Sequence, residues 1–99
     1  MNYFDLKSVV VAVIGGTGVL GGAIAKGLAG DGAIVGILGR DQGRGFSVCS
    51  DIVKAGGTAE FVKCNAMNIE SLEYAQSVLH EKFGDIDVLI NAAGGNQPK

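Results

Sequence analysis

Apolar positions along the chain fall into four short runs, separated by stretches where they recur every three or four residues. Val9 to Ile14 is the first run, β-branched apart from Ala12, and reads as a buried strand. It breaks into Gly15-Gly16-Thr17-Gly18, and a helix is predicted from Val19, with Leu20, Ile24 and Leu28 on one face. Gly21, Gly22, Ala23 and Ala25 are small enough to let that helix approach a sheet closely, while Gly27 costs about 1 kcal/mol against alanine. Gly30-Asp31-Gly32 ends it. Ala33 to Leu38 is the second strand, weakened by Gly36. Beyond Gly39-Arg40-Asp41, the spacing of Phe46, Cys49, Ile52 and Val53 predicts a second helix, its first turn frayed by Gly43 and Gly45 and its end set by Ala55-Gly56-Gly57. Ala59 to Cys64 is the third strand. Asn65 to Asn68 is a loop in which Asn68 is the expected N-cap of a third helix. Ile69, Leu72, Ala75, Val78, Leu79 and Phe83 form that helix's apolar face, with Glu70, Glu73, Glu81 and Lys82 pointing outward. Gly84-Asp85 turns the chain into a fourth strand, Asp87 to Asn91, which runs on into Ala92-Ala93-Gly94-Gly95.

The order β-α-β-α-β-α-β, with strands apolar on both faces, predicts a parallel sheet covered by helices on either side. Right-handed crossovers give the strand order 3-2-1-4, half of a doubly wound Rossmann fold. Its 99 residues make the chain one small domain at most, residues 1–99.

Composition removes several classes of function. A net charge of −2, with no Lys/Arg cluster, gives no footprint for nucleic acid. The longest apolar run is far too short to cross a bilayer, so no membrane role is expected. Cys49 and Cys64 have no metal-ligand spacing and read as core or near-core thiols of a cytoplasmic protein. His80 falls off the apolar face, with no carboxylate or cysteine at ligand spacing, and reads as a solvated residue of the helix's last turn. Tyr3-Phe4-Asp5-Leu6-Lys7 has a Tyr-xxx-Lys spacing, but it precedes the first strand, where no helical face can present the pair to a cofactor; Phe4 and Leu6 read as packing residues.

What remains is the glycine loop. Strand, glycine turn and helix N-terminus in that order make a phosphate-binding device, because glycine permits close backbone approach and the helix start offers open N–H groups and a positive dipole end. The loop fits both G-x-G-x-x-G (Gly16, Gly18, Gly21) and G-x-x-G-x-x-G (Gly15, Gly18, Gly21), in the strand-to-helix context a dinucleotide site requires. Ligands of such sheets sit beyond the strands' C-terminal ends, where loops 15–18, 39–41, 65–68 and 91–95 converge. An acid ending strand 2 would bind a ribose 2′-hydroxyl, and a base there would pair with a 2′-phosphate. Gly39 leaves no carboxylate at that end and Arg40 follows at once, which favours NADP over NAD. Asp41 either takes the ribose role or caps the second helix.

Two motifs together resemble the short-chain dehydrogenase/reductase family: Gly15-Gly16-Thr17-Gly18-Val19-Leu20-Gly21 is similar to its cofactor loop, and Asn91-Ala92-Ala93-Gly94 to its Asn-Asn-Ala-Gly motif. Among its subgroups, the loop and the Ala-Gly-Gly-Asn-Gln-Pro-Lys ending look most like bacterial sugar-acid oxidoreductases of the mannonate/fructuronate kind. The resemblance implies that the backbone of Gly15, Gly18, Val19, Leu20 and Gly21 holds a pyrophosphate, with Thr17 adding a hydroxyl. It further implies that Arg40 selects the adenine-ribose phosphate and that Asn65 and Ala66 border adenine. Asn91, Ala92, Ala93 and Gly94 would line the cofactor and steady the central strands. Three departures stand out. Ile14 replaces a Thr that ties neighbouring strands. Asn65 replaces an Asp that contacts adenine, its carbonyl still able to accept from the exocyclic amine. The family's Ser and Tyr-xxx-Lys, expected after strand 4, are absent, so hydride transfer has no matched proton partner. The expectation is therefore the NAD(P)-binding N-terminal portion of an oxidoreductase, inactive alone. The alternative is a non-catalytic nucleotide-binding or oligomerisation module, completed by a second copy or a partner chain along the strand 4 edge. A third reading, a decayed remnant, rests on the many glycines and the lost Thr and Asp.

Overall fold

The computed structural model describes residues 6–92. Tyr3 and Phe4, with Ala93 and Gly94 of the second motif, lie outside those residues. The described chain runs β1 (Val10–Ile14), α1 (Val19–Gly30), β2 (Ile34–Gly39), α2 (Gln42–Lys54), β3 (Thr58–Lys63), α3 (Ile69–Phe83) and β4 (Val88–Asn91). The four strands form one parallel sheet in the order β3-β2-β1-β4, as the alternation of elements predicts. Register places Ile14 beside Leu38 on one side and beside Asn91 on the other. Each strand boundary moves by a residue or so from the apolar run, because the ladder follows pairing with the neighbour rather than side-chain polarity: Thr58 and Lys63 pair with Ile34 and Gly39 although neither is apolar.

Alternating strand residues feed two cores. Val11, Val13, Val35, Ile37 and Phe61 face Ala25 and Ala29 of α1 and Val48 and Ile52 of α2. Ala12, Ile14, Leu38, Val62 and Cys64 face Ala75 and Leu79 of α3. β1 is buried along its whole length, which is why its sequence lacks polar alternation.

The helix faces differ from those the apolar spacing predicts. α1 packs chiefly through Gly21, Gly22, Ala25 and Ala29, which are buried; of the predicted face, Leu28 is half-buried against the same core, whereas Leu20 is 55% exposed. A helix lying this close to a sheet uses its smallest side chains for contact. α2 buries Gly45, Val48 and Ile52, leaving Val53 exposed and Phe46 exposed but edge-on to Phe61, ring centroids 5.4 Å apart. Its first turn is not frayed: Asp41 Oδ1 accepts from the Arg44 N–H at 3.0 Å, and Gly45 sits where any Cβ would overlap the Phe61 ring. Asn68 caps α3 as expected, accepting from the Ser71 N–H at 3.1 Å, but Ile69 lies in the exposed first turn rather than on the apolar face. His80 is solvent-exposed yet not alone, since its Nε2 lies 2.8 Å from Asp85 Oδ1; the helix ends between them and the chain folds back, a juxtaposition that ligand spacing along a helix misses. Asp87 clasps the start of β1, its carboxylate accepting from the Val10 N–H and its own N–H donating to the Val10 carbonyl, both at 2.9 Å. No helix among the described residues is long and apolar enough to cross a membrane.

Candidate functional site

The glycine loop is moored to β2. The N–H groups of Gly15 and Gly16 both donate to the Leu38 carbonyl, at 2.7 and 3.2 Å, and Gly18 N–H donates to Gly15 O at 3.0 Å. Gly15 has φ +82°, a left-handed conformation that glycine adopts without a Cβ clash. A Cβ on Gly21 would overlap the Gly15 carbonyl, so the first turn of α1 can close over the loop only with glycine there. The first backbone bond into α1 runs from Gly22 N–H to Gly18 O at 2.8 Å. Among the described residues no side chain caps the helix and no acid lies in its first turn, so there the N–H groups of Val19, Leu20 and Gly21 are left open at its positive end. That arrangement can receive an anion such as a pyrophosphate, and the residues fit a dinucleotide at this point.

Thr17 stands over the end of β2. A Cβ on Gly39 would lie 2.6 Å from both Thr17 Cγ2 and Thr17 Oγ1, so the two positions compete for one volume. Any side chain at position 39, an acid included, would therefore collide with Thr17. Asp41, the other carboxylate here, serves α2: beyond its capping bond, its Oδ2 is 3.7 Å from Arg44 Nε. Arg40 is exposed, with no hydrogen-bond or ion-pair partner among the described residues. A cavity of about 230 Å³ joins Gly15, Thr17, Gly39, Arg40, Asp41, Cys64 and Ala66. It abuts a wider groove of about 690 Å³ lined by Arg40, Asp41, Lys63, Cys64, Asn65 and Ser71.

The β3–α3 loop is tightly wound. Asn65 Oδ1 accepts from Met67 N–H at 3.0 Å, and Asn65 N–H donates to Ser71 Oγ at 2.9 Å. The Asn65 side-chain carbonyl thus accepts one hydrogen bond within the loop and keeps a second lone pair. On the far side, Asn91 lies in register with Ile14, and Ala92 N–H donates to the Ile14 carbonyl at 2.8 Å, which sets the start of the second motif against the start of the glycine loop. The structure therefore brings Gly15, Thr17, Arg40, Asn65, Ala66, Asn91 and Ala92 to one edge of the sheet, with Gly18, Val19, Leu20 and Gly21 in the open helix start beside them. Sequence reasoning missed Lys63, Cys64 and Ser71 in the lining, although the rule that ligands gather at strand C-termini covers the first two. Cys49 lies away from this edge; burial, and then the Glu60 charge, push its thiol from 9.0 up to about 11. Among the described residues no group of His, Cys, Asp and Glu could hold a metal.

Residues 9–99 match the family model for short chain dehydrogenases. The chain belongs to the short-chain dehydrogenase family. It is 42% identical over 94 residues to an uncharacterized oxidoreductase, UxuB, of Bacillus subtilis, covering 95% of this chain and 34% of that one. A 3β-hydroxysteroid dehydrogenase of Mediterraneibacter gnavus is 37% identical over 94 residues, covering 95% and 33%. Among solved structures, one from Haemophilus influenzae, provisionally assigned as a D-mannonate oxidoreductase and holding NAD, superposes with a TM-score of 0.88 at 32% identity, covering 95% of this chain and 34% of that one. The chain thus spans about a third of the length of the curated short-chain dehydrogenases it matches.

Proposed function

We propose that these residues form the N-terminal, cofactor-binding part of an NAD(P)-dependent oxidoreductase, with NADP preferred. The observation that carries the preference is the packing of Thr17 over Gly39. It keeps a carboxylate off the end of β2, while Asp41 is held by Arg44 and Arg40 stays open beside the cavity. Arg40 would pair with a 2′-phosphate, and the open N–H groups of Val19, Leu20 and Gly21, with the Thr17 hydroxyl, would hold the pyrophosphate. Asn65 and Ala66 would border the base, and Asn91 to Gly94 would form the wall toward the nicotinamide. A bound dinucleotide supplies a hydride donor or acceptor. Within the 99 residues the only Tyr-xxx-Lys is Tyr3 to Lys7, ahead of β1, so these residues alone bind cofactor without turning over a carbonyl or hydroxyl substrate. The free thiols of Cys49 and Cys64 fit a reducing, cytoplasmic setting.

Calorimetric titration of the 99-residue chain tests this reading. NADPH is expected to bind about tenfold tighter than NADH, the worth of one charge-assisted hydrogen bond, and Arg40→Ser should remove most of that margin. Tighter binding of NADH would overturn the role given to Arg40, and no binding of either at millimolar concentration would overturn the site.

One observation favours a second reading. The outer edge of β4 has no strand partner among the described residues, and its Val88 and Leu89 are 43% and 50% exposed. An open apolar edge suits a nucleotide-binding module completed by another chain or a second copy. A clean monomer by size-exclusion chromatography at high concentration would count against it.

A further inference from the structure

The two outer edges of the described sheet differ in what they carry. β3 is set with charge: its strand includes Glu60 and Lys63, and Glu60 Oε1 lies 3.1 Å from Lys82 Nζ of α3. Charges of this kind keep an edge from pairing with another chain. β4, at the opposite edge, reads Val88-Leu89-Ile90-Asn91, without charge, proline or glycine. Val88 and Leu89 are both half exposed and, as neighbours in a strand, point to opposite faces of the sheet. A cover on one face would leave the other wet, whereas a further strand shields both. Beyond the described chain the 99 residues add only 1–5 and 93–99, and the latter hold two glycines and a proline, a composition depleted in strands.

The backbone sets how a second copy fits. Asp87 N–H donates to the Val10 carbonyl of β1, so by alternation the N–H and C=O groups of Val88 and Ile90 point away from β1, into the open edge. Two identical copies that close on themselves share a two-fold axis, under which their β4 strands run antiparallel. We propose that two copies of the chain join β4 to β4 with this axis at Leu89, making one continuous sheet. Val88 and Ile90 then exchange N–H···O=C bonds with Ile90 and Val88 of the second copy, and Leu89 meets Leu89 across the axis. A two-residue slip would set Leu89 opposite Asp87 or Asn91 instead, so this register is the one that matches apolar side chains with apolar ones. The inference rests on the second reading above and names its partner. A strand this short covers on the order of a few hundred Å² per copy, against roughly 800 Å² for a standard interface, so the dimer is weak and concentration-dependent. The two glycine loops fall at opposite ends of the joined sheet, where pairing does not obstruct a cofactor.

Sedimentation equilibrium of the full 99-residue chain between about 10 μM and 1 mM tests the pairing, and disulfide trapping reads its register. In a Cys49→Ser background, Leu89→Cys should cross-link to a dimer under mild oxidation, because opposed residues at a non-hydrogen-bonded antiparallel pair lie about 4.5 Å apart at Cα, within disulfide reach. Val88→Cys should not, since Ile90 and not Val88 of the second copy stands opposite. Leu89→Lys should raise the dissociation constant at least about tenfold, with an unchanged circular dichroism spectrum because the side chain is half exposed. A dimer that Leu89→Cys does not trap, that Val88→Cys traps equally, or that Leu89→Lys leaves intact overturns this register while the second reading stands. A chain that stays monomeric at 1 mM overturns both.

Discussion

Placing an acid at the end of β2 is the obvious way to turn an NADP site into an NAD site, and in this chain Gly39→Asp should fail when made alone. The new Cβ would lie 2.6 Å from Thr17 Cγ2 and Oγ1, roughly an ångström inside ordinary contact, and both atoms belong to a side chain rooted in the moored glycine loop. Overpacking of this kind costs about 1–3 kcal/mol, which for a domain of this size lowers Tm by roughly 5–20 °C. Relief comes from position 17. Thr17→Ala removes the two close atoms and leaves a Cβ-to-Cβ approach of 3.1 Å, which a shift of a few tenths of an ångström accommodates. Gly39→Asp should therefore be markedly less stable in urea, and Thr17→Ala/Gly39→Asp should recover at least about 1 kcal/mol of that loss. In the same proteins, NADH affinity should rise only when both changes are present, because only then can the carboxylate reach a ribose without displacing the loop. If Gly39→Asp alone kept the parent's stability to within about 0.5 kcal/mol, the steric reasoning would be wrong, whatever happened to binding.

Other interfaces give sharper tests of packing. Gly36 faces Leu79, so Gly36→Ala should cost about 1–3 kcal/mol and Leu79→Ala about 2–5, while the double variant should cost less than the sum; additivity within about 0.5 kcal/mol in urea titrations would refute the contact. Asn68→Ala should lose about 1 kcal/mol with the helix cap, and Asn68→Ser should restore most of it in the same assay. Since the Cys49 thiol is raised to about 11 in the fold against 9.0 outside it, the unfolded state ionises first on the alkaline side. This thiol's contribution to stability is fully present below pH 9 and is lost as pH rises toward 11, and iodoacetamide should label Cys49 in the folded chain much more slowly at pH 9 than in the urea-unfolded chain.

The sheet was legible because a strand buried on both faces needs no alternation. The run from Val9 to Ile14 states this directly, and strand order follows from crossover handedness. The helix faces were less legible. Apolar periodicity weights Leu20 and Val53, yet the contacts belong to Gly21, Gly22, Ala25 and Gly45, whose value is their lack of bulk. At the site, the glycine loop and Arg40 were readable from their places at strand ends. The competition between Thr17 and Gly39 was not, since it joins two loops more than twenty residues apart. Nor was the engagement of the Asn65 carbonyl by Met67, although an asparagine opening a loop favours just such a local turn.

The small residues of α1 have a consequence for how the molecule assembles. Gly21, Gly22, Gly27 and Gly30 are four of the helix's twelve residues, and each costs about 1 kcal/mol against alanine, so the segment has no tendency to be helical by itself. Its helical form leans on the packing of Ala25 and Ala29 against β1 and β2. The open N–H groups at its start therefore depend on tertiary packing, and α1 should be the first helix to lose amide-exchange protection. A dinucleotide would then find its pyrophosphate cradle only on the finished fold, and each binding event would draw the folding equilibrium forward.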